Sequence, residues 1–249
     1  MRTENSRLWP GCLIAVGLLL ILAHGCKKDD TPEPSGGIKD VDGNVYTSVT
    51  IGTQVWLVEN LKVTKYRDGS AIPNVTDGGQ WSSLTSGAFC NFENSTSNGN
   101  TYGRLYNWYA VKTGNLCPTG WHVPTHDEWI TLRNYLIANG YNYDGSMTGD
   151  NTAKSLSSTT LWKSSTSTGA VGNTDFPAYR NKSGFTALPG GYRYFGSEFN
   201  ELSEYGYWWT SSEAPQSDGY YWMWSYNMRS TGFNHTNPRG GFSVRCVKD

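Results

Sequence analysis

Sulfur is the most reactive element this 249-residue chain offers, and it stands at Cys12, Cys26, Cys90, Cys117 and Cys246. A thiolate can attack carbon, hold a metal or close a disulfide, and its compartment and neighbours decide which. Other catalytic signatures are missing: there is no G-x-S-x-G, H-E-x-x-H, P-loop or dinucleotide fingerprint. His122 and His126 are four residues apart, but Pro124 lies between them, so they do not share a helical face as a metal pair would. Asp40-Val41-Asp42-Gly43-Asn44 offers oxygen ligands, yet a calcium loop of the EF-hand type needs further ligands and a closing Glu at the right spacing. A turn is the better account. Glu128 could donate a proton, but a helix-capping role accounts for it. No catalytic residue, metal ligand or cofactor is assigned. What remains is stacking chemistry: in a strand at 220–227, Tyr220, Trp222, Trp224 and Tyr226 alternate onto one face, and Trp208 and Trp209 point to opposite faces of another. Exposed, such rings would hold a sugar; covered, they would be core.

The N-terminus bears on the thiols. Arg2 and Arg7 precede an apolar run at 12–23, followed by Leu22-Ala23-His24-Gly25-Cys26. This is the three-part form of an export signal over 1–25, too short to span a bilayer comfortably. A cysteine after a small residue at this point resembles the lipobox of bacterial lipoproteins, although His24 stands where that pattern has Ala or Ser. The resemblance implies that Cys26 is acylated and becomes the new N-terminus. Lys27-Lys28-Asp29-Asp30 resembles the surface-export tag of Bacteroidetes-type lipoproteins, which implies the outer face of the outer membrane. Residues 26–37, rich in charge, Pro, Ser and Gly, read as a flexible tether.

The remainder, 38–249, has the composition of one ordered domain. Only 16% of the chain is charged, against 11 Trp, 16 Tyr and 29 Gly, which favours short strands and long ordered loops. Basic and acidic residues nearly balance at 20 and 21, and no Lys/Arg cluster is present, so nucleic acid is excluded as a partner. Residues 44–51 and 53–59 form a hairpin around Gly52. Thr125-His126-Asp127-Glu128 is a capping box that starts a helix carrying Trp129, Leu132, Leu136 and Ile137, with Val123 and Trp129 as a staple and Gly140 as the stop. A shorter helix is expected within 105–111. Residues 141–182, rich in Ser, Thr, Asn and Gly, read as a functional loop region. Strands at 205–211, 220–227 and 241–247 form a terminal meander. In an oxidising compartment, joining Cys117 to Cys246 closes a loop of about 130 residues, worth on the order of 4–5 kcal/mol, and is the favoured pairing. Counting leaves either thiol joined to Cys90 open. Otherwise Cys90 is a small buried hydrophobe.

Several segments together bring a family into view: 52–56 (GTQVW), 59–62 (ENLK), 105–111 (LYNWYAV), 117–125 (CPTGWHVPT) with Glu128-Trp129, Gly184-Phe185, and 241–247 (GFSVRCV). Over about 38–249 the chain resembles the Fibrobacter succinogenes major paralogous domain, which is similar to C-type lectin-like domains and, more distantly, to sulfatase-modifying-factor domains. The resemblance implies an α+β, C-type lectin-like fold of antiparallel sheets with two helices and long ordered loops. It also implies a disulfide between Cys117, placed before Val123 and the second helix, and Cys246 in the last strand. The Glu-Pro-Asn and Trp-Asn-Asp tripeptides that hold calcium and sugar in true C-type lectins are absent, so that activity does not carry over. The modifying factors use a pair of reactive cysteines near the end of the domain; here only Cys246 is near the end, which implies fold without activity. The expectation is a non-enzymatic outer-membrane lipoprotein that binds a glycan or other surface polymer, with Trp208, Tyr220, Trp222 and Trp224 as candidate ligand residues. A modifying-factor-like enzyme and a structural subunit of an envelope assembly are the alternatives.

Overall fold

The computed structural model describes residues 37–196 and 198–249. The export signal, Cys26 and all of the tether except Gly37 lie outside them. The described part is α+β and rich in sheet. Its strands are β1 (Ile38–Lys39), β2 (Val45–Tyr46), β3 (Ser48–Ile51), β4 (Gln54–Leu57), β5 (Phe89–Cys90), β6 (Leu105–Tyr106), β7 (Trp121–His122), β8 (Gly190–Arg193), β9 (Phe199–Leu202), β10 (Tyr205–Glu213), β11 (Gly219–Ser225), β12 (Gly232–Thr236) and β13 (Val247–Lys248). Its helices are α1 (Gly78–Ser82), α2 (Thr96–Tyr102), α3 (Trp108–Lys112), α4 (His126–Ala138) and α5 (Ala153–Leu156). Only α4 exceeds two turns, so the expected pair of helices becomes one long helix and several short ones.

The Asp-rich segment is a turn between β1 and β2. The Asp40 carboxylate accepts the backbone N–H groups of Asp42 (2.9 Å) and Asn44 (3.0 Å), the Asn44 amide (2.8 Å) and the Tyr46 hydroxyl (2.6 Å). The hairpin β3–β4 turns at Gly52, with Ile51 opposite Gln54. Gly52 has a φ of +65°, and a Cβ there would come within 2.7 Å of the Tyr135 ring on α4, so two requirements select glycine. The hairpin then takes β13 and β7 as further strands, in the order β3-β4-β13-β7. Val247 sits opposite both Trp56 and His122, so the two ends of the domain share one sheet. That pairing brings Cys246 beside Cys117, and the two form a disulfide with Cα atoms 6.0 Å apart. Cys90 is a free, buried thiol.

Helix α4 begins where its sequence says. The Thr125 hydroxyl accepts the Glu128 N–H, and the Glu128 carboxylate accepts the Thr125 N–H, which satisfies two backbone donors reciprocally. Trp129, Leu132 and Leu136 form its buried face, and Gly140 follows its end with a φ of +69°. The staple is not formed: Val123 packs in one buried cluster and Trp129 in another. The expected helix at 105–111 divides at Asn107. Leu105–Tyr106 pairs with β5, and the Asn107 side chain accepts the N–H groups of Ala88 and Ala110, capping α3.

The aromatic sheet has the order β10-β11-β12, all antiparallel, with Trp208 opposite Trp222 and Trp222 opposite Phe233. Its third strand is therefore 232–236, not 241–247. The latter segment passes Trp208 through a single parallel bridge at Ser243 and ends in the other sheet. Both faces of this sheet are covered at the tryptophans of β10 and β11, while Tyr220 and the edge strand β12 stay partly or fully open. Trp209 and Tyr221 face a cluster built on Tyr106, Trp108 and Phe242, while Trp208, Trp222 and Trp224 face one built on Trp56, Trp129 and Phe185. The second cluster is closed by the loop region 141–182, which supplies Ala153, Leu156 and Val171. That region is ordered by polar ties: the buried Lys154 ammonium donates to the Asp175 carboxylate at 2.7 Å and to its carbonyl at 2.9 Å.

Candidate functional site

Three of the four candidate ligand residues are core. Trp208, Trp222 and Trp224 are 0%, 1% and 0% exposed, so the aromatic strand is not an open platform. The cover comes from α4 and from the loop region. Trp129 stacks on Trp222 (5.7 Å between centroids, 14°), and Trp208 stacks on Trp224 (4.4 Å, 28°). Each indole N–H is satisfied inside the protein: Trp208 donates to Asn60 Oδ1 (2.9 Å), Trp224 to Ser157 Oγ (2.8 Å) and Trp222 to His126 Nδ1 (3.3 Å). Ser157 belongs to the polar loops at 141–182, so the region read as a functional loop here serves to close the aromatic face.

Tyr220 is the exception. It lies at the start of β11, where α4 is only beginning, and its ring stays partly exposed. The His126 ring stacks against it at 5.0 Å and 28°, and meets Phe233 edge-on at 4.5 Å and 70°. Phe233 is 48% exposed. His235 lies beyond Tyr220 at 5.9 Å and pairs with the Asp218 carboxylate at 2.9 Å. Trp222 forms the floor, 5.8 Å from His126 and 5.6 Å from Phe233. The patch thus draws on the first turn of α4 and on the edge strand β12.

The hydrogen bond from Trp222 assigns the His126 tautomer. An indole N–H can only donate, so His126 Nδ1 accepts and the ring proton resides on Nε2. Burial holds the His126 pKa below the ordinary histidine value; Asp127 opposes this and the Arg133 charge reinforces it. The ring is therefore neutral at neutral pH. Neither His126 Nε2 nor the Tyr220 hydroxyl has a hydrogen-bond partner among the described residues. The patch offers half-open aromatic surface and two polar groups able to reach outward.

His122 does not join it. Its ring bridges the Asp249 carboxylate (Nδ1, 2.7 Å) and the Glu128 carboxylate (Nε2, 2.8 Å), while His126 faces the aromatic sheet. The two histidines therefore have separate surroundings. Glu128 is engaged by His122 and by Thr125. The Cys90 thiol is pushed up to about 11 by burial, although Arg193 beside it acts in the opposite direction. A cavity of about 270 Å³ lies elsewhere, beside the disulfide, lined by Lys39, Asp40, Arg67, Cys117, Pro118 and Thr119. Its polar groups are largely taken: Asp40 by its turn, and Arg67 by the Gly114 carbonyl at 3.1 Å. The aromatic patch is the better candidate, because its outward groups are open.

Sequence reasoning found Tyr220 and missed Phe233, His126 and His235 as its neighbours. The capping box did place His126 at the first helical position, but nothing local said which strand it would face. Residues 49–248 match the Fibrobacter succinogenes major domain. Searches of curated proteins and of solved structures find no match. With four-fifths of its length matched, the chain belongs to the Fibrobacter succinogenes major domain family.

Proposed function

We propose that this protein is a non-enzymatic lipoprotein of the outer membrane, held through Cys26, whose domain is a C-type lectin-like binding or adhesion module for a glycan or other surface polymer. The observation that carries the binding reading is the patch of Tyr220, His126 and Phe233. Stacked rings left half-open beside an unpartnered hydroxyl and imidazole N–H suit the flat apolar face and hydroxyl rim of a sugar. The lectin-like reading draws on the Cys117–Cys246 bridge, which ties the approach to α4 to the last strand, and on the long ordered loops beside the aromatic sheet. The enzyme alternative requires an available sulfur nucleophile. Cys246 is oxidised and Cys90 is buried with a raised pKa, which weighs against it.

A glycan array probed with the full chain in detergent tests the binding reading. Binding should fall at least tenfold in Tyr220→Ala and Phe233→Ala. Binding that ignores both substitutions overturns the assignment of the patch. Labelling with a radioactive fatty acid tests the anchor: the wild type should incorporate label and Cys26→Ser should not.

A further inference from the structure

Arg133 is the charge at this surface that nothing yet accounts for. It follows His126 by seven residues on α4, so the two side chains leave the same helix face two turns apart. Its guanidinium carbon lies 5.4 Å from the centroid of the Trp222 ring, the floor of the patch. No carboxylate pairs with it among the described residues, and its Nε is buried without a hydrogen-bond partner. Most other cations near aromatic rings here are tied to acceptors: Lys112 to Glu213, Lys163 to Glu204, Lys182 to the Gly140 carbonyl. A guanidinium packed on an indole, whose Nη groups meet no acceptor among the described residues, is a preorganised fork for an oxyanion.

We propose that the patch selects an acidic saccharide, with the sugar ring against Tyr220 and Phe233 and its carboxylate or sulfate on Arg133. This rests on the binding reading of the same patch. The local acids do not compete for the fork. Asp218 is engaged by His235, and Asp127, six residues before Arg133, lies on a different face of α4. His126, neutral and protonated on Nε2, adds a donor without adding an acid. The charged group of the ligand, rather than the ring alone, then sets selectivity, because a lone guanidinium gains a charge-assisted, two-pronged contact only from an oxyanion.

Calorimetric titration of the full chain with oligogalacturonate, with its methyl ester, with a sulfated galactan oligomer and with its desulfated form separates the two ideas. At least one charged probe should bind tenfold or more tightly than its uncharged counterpart. The preference should collapse towards unity in Arg133→Gln and be only partly kept in Arg133→Lys, which retains charge but loses the fork. Thermal melts of both variants check that they fold, and Arg133→Lys carries the test if Arg133→Gln does not. Equal binding of charged and uncharged probes, or a preference that survives Arg133→Gln, overturns the acidic-ligand inference and leaves the binding reading standing. Failure of all four probes to bind, or binding indifferent to Tyr220→Ala and Phe233→Ala, overturns both.

Discussion

The two ends of β11 carry the same alternation of aromatic residues and meet opposite fates. At Trp222 and Trp224 the rings are sealed beneath α4 and the polar loops, each with its N–H bonded inside the protein. At Tyr220, two residues earlier on the same face, α4 is only starting and the ring is left partly open with a free hydroxyl. The difference lies in what covers the strand, not in the strand. A period of two says which residues share a face; it does not say how far along the face the next layer extends.

The strongest way to break this comparison is to empty the sealed end. Trp224→Ala removes a ring stacked on Trp208 and the indole N–H that the Ser157 hydroxyl oxygen accepts, and should cost about 3–5 kcal/mol in denaturant unfolding. Tyr220→Ala, at the open end, should cost only about 1 kcal/mol while weakening ligand binding at least tenfold. If both substitutions destabilised equally, the ends would not differ. Next in size is the disulfide. Cys117→Ser should lower stability by about 2–5 kcal/mol, measured under non-reducing conditions, since the bridge fastens the terminal strand that completes the first sheet. Removing the cap with Thr125→Ala should cost about 1 kcal/mol by thermal melting, and it loosens the turn that places His126 over Tyr220.

The smallest effects sharpen the contrast through two histidines four residues apart. Burial opposes charge on His122, but the hydrogen bonds to Asp249 and Glu128 outweigh it, so its folded pKa lies above the ordinary value of 6.5. Its contribution to stability is fully present below that value and is lost as the pH rises through the raised folded pKa. For His126, burial dominates and the folded pKa lies below 6.5. Folding then excludes a proton that the unfolded chain takes up, so stability falls as the pH drops from about 6.5 towards the folded value. Histidine ring signals followed by NMR should titrate on opposite sides of 6.5. Both moving the same way would refute the separate environments. Protonation of His126 also removes the acceptor of the Trp222 indole, so that hydrogen bond is lost in the same acid range.

Some features were readable because they depend on near neighbours. The capping box at Thr125 and Glu128, the turn at Gly52 and the Asp40 turn each close within a few residues, and each formed as read. The helix expected at 105–111 failed for a reason of longer range: Leu105–Tyr106 found a partner strand in Phe89–Cys90, which left Asn107 to restart the chain as α3. The meander failed similarly. Residues 241–247 carry strand-forming side chains, but the first hairpin and β7 claim their end, while the less conspicuous 232–236 pairs with β11. The site was half visible. Tyr220 stood out by type and alternation, whereas His126, Phe233 and Arg133 come from other elements and meet it only in three dimensions.

By itself, then, the order of residues determined the local commitments: where α4 begins, which rings share a face of β11, and which family the chain resembles. Tertiary structure alone decided which of those rings water reaches. Alternation and capping act through bonds spanning a few residues, whereas exposure depends on the distant segments that pack above, here α4 and the loops at 141–182. The same aromatic alternation therefore became core at Trp222 and Trp224 and stayed half-open at Tyr220.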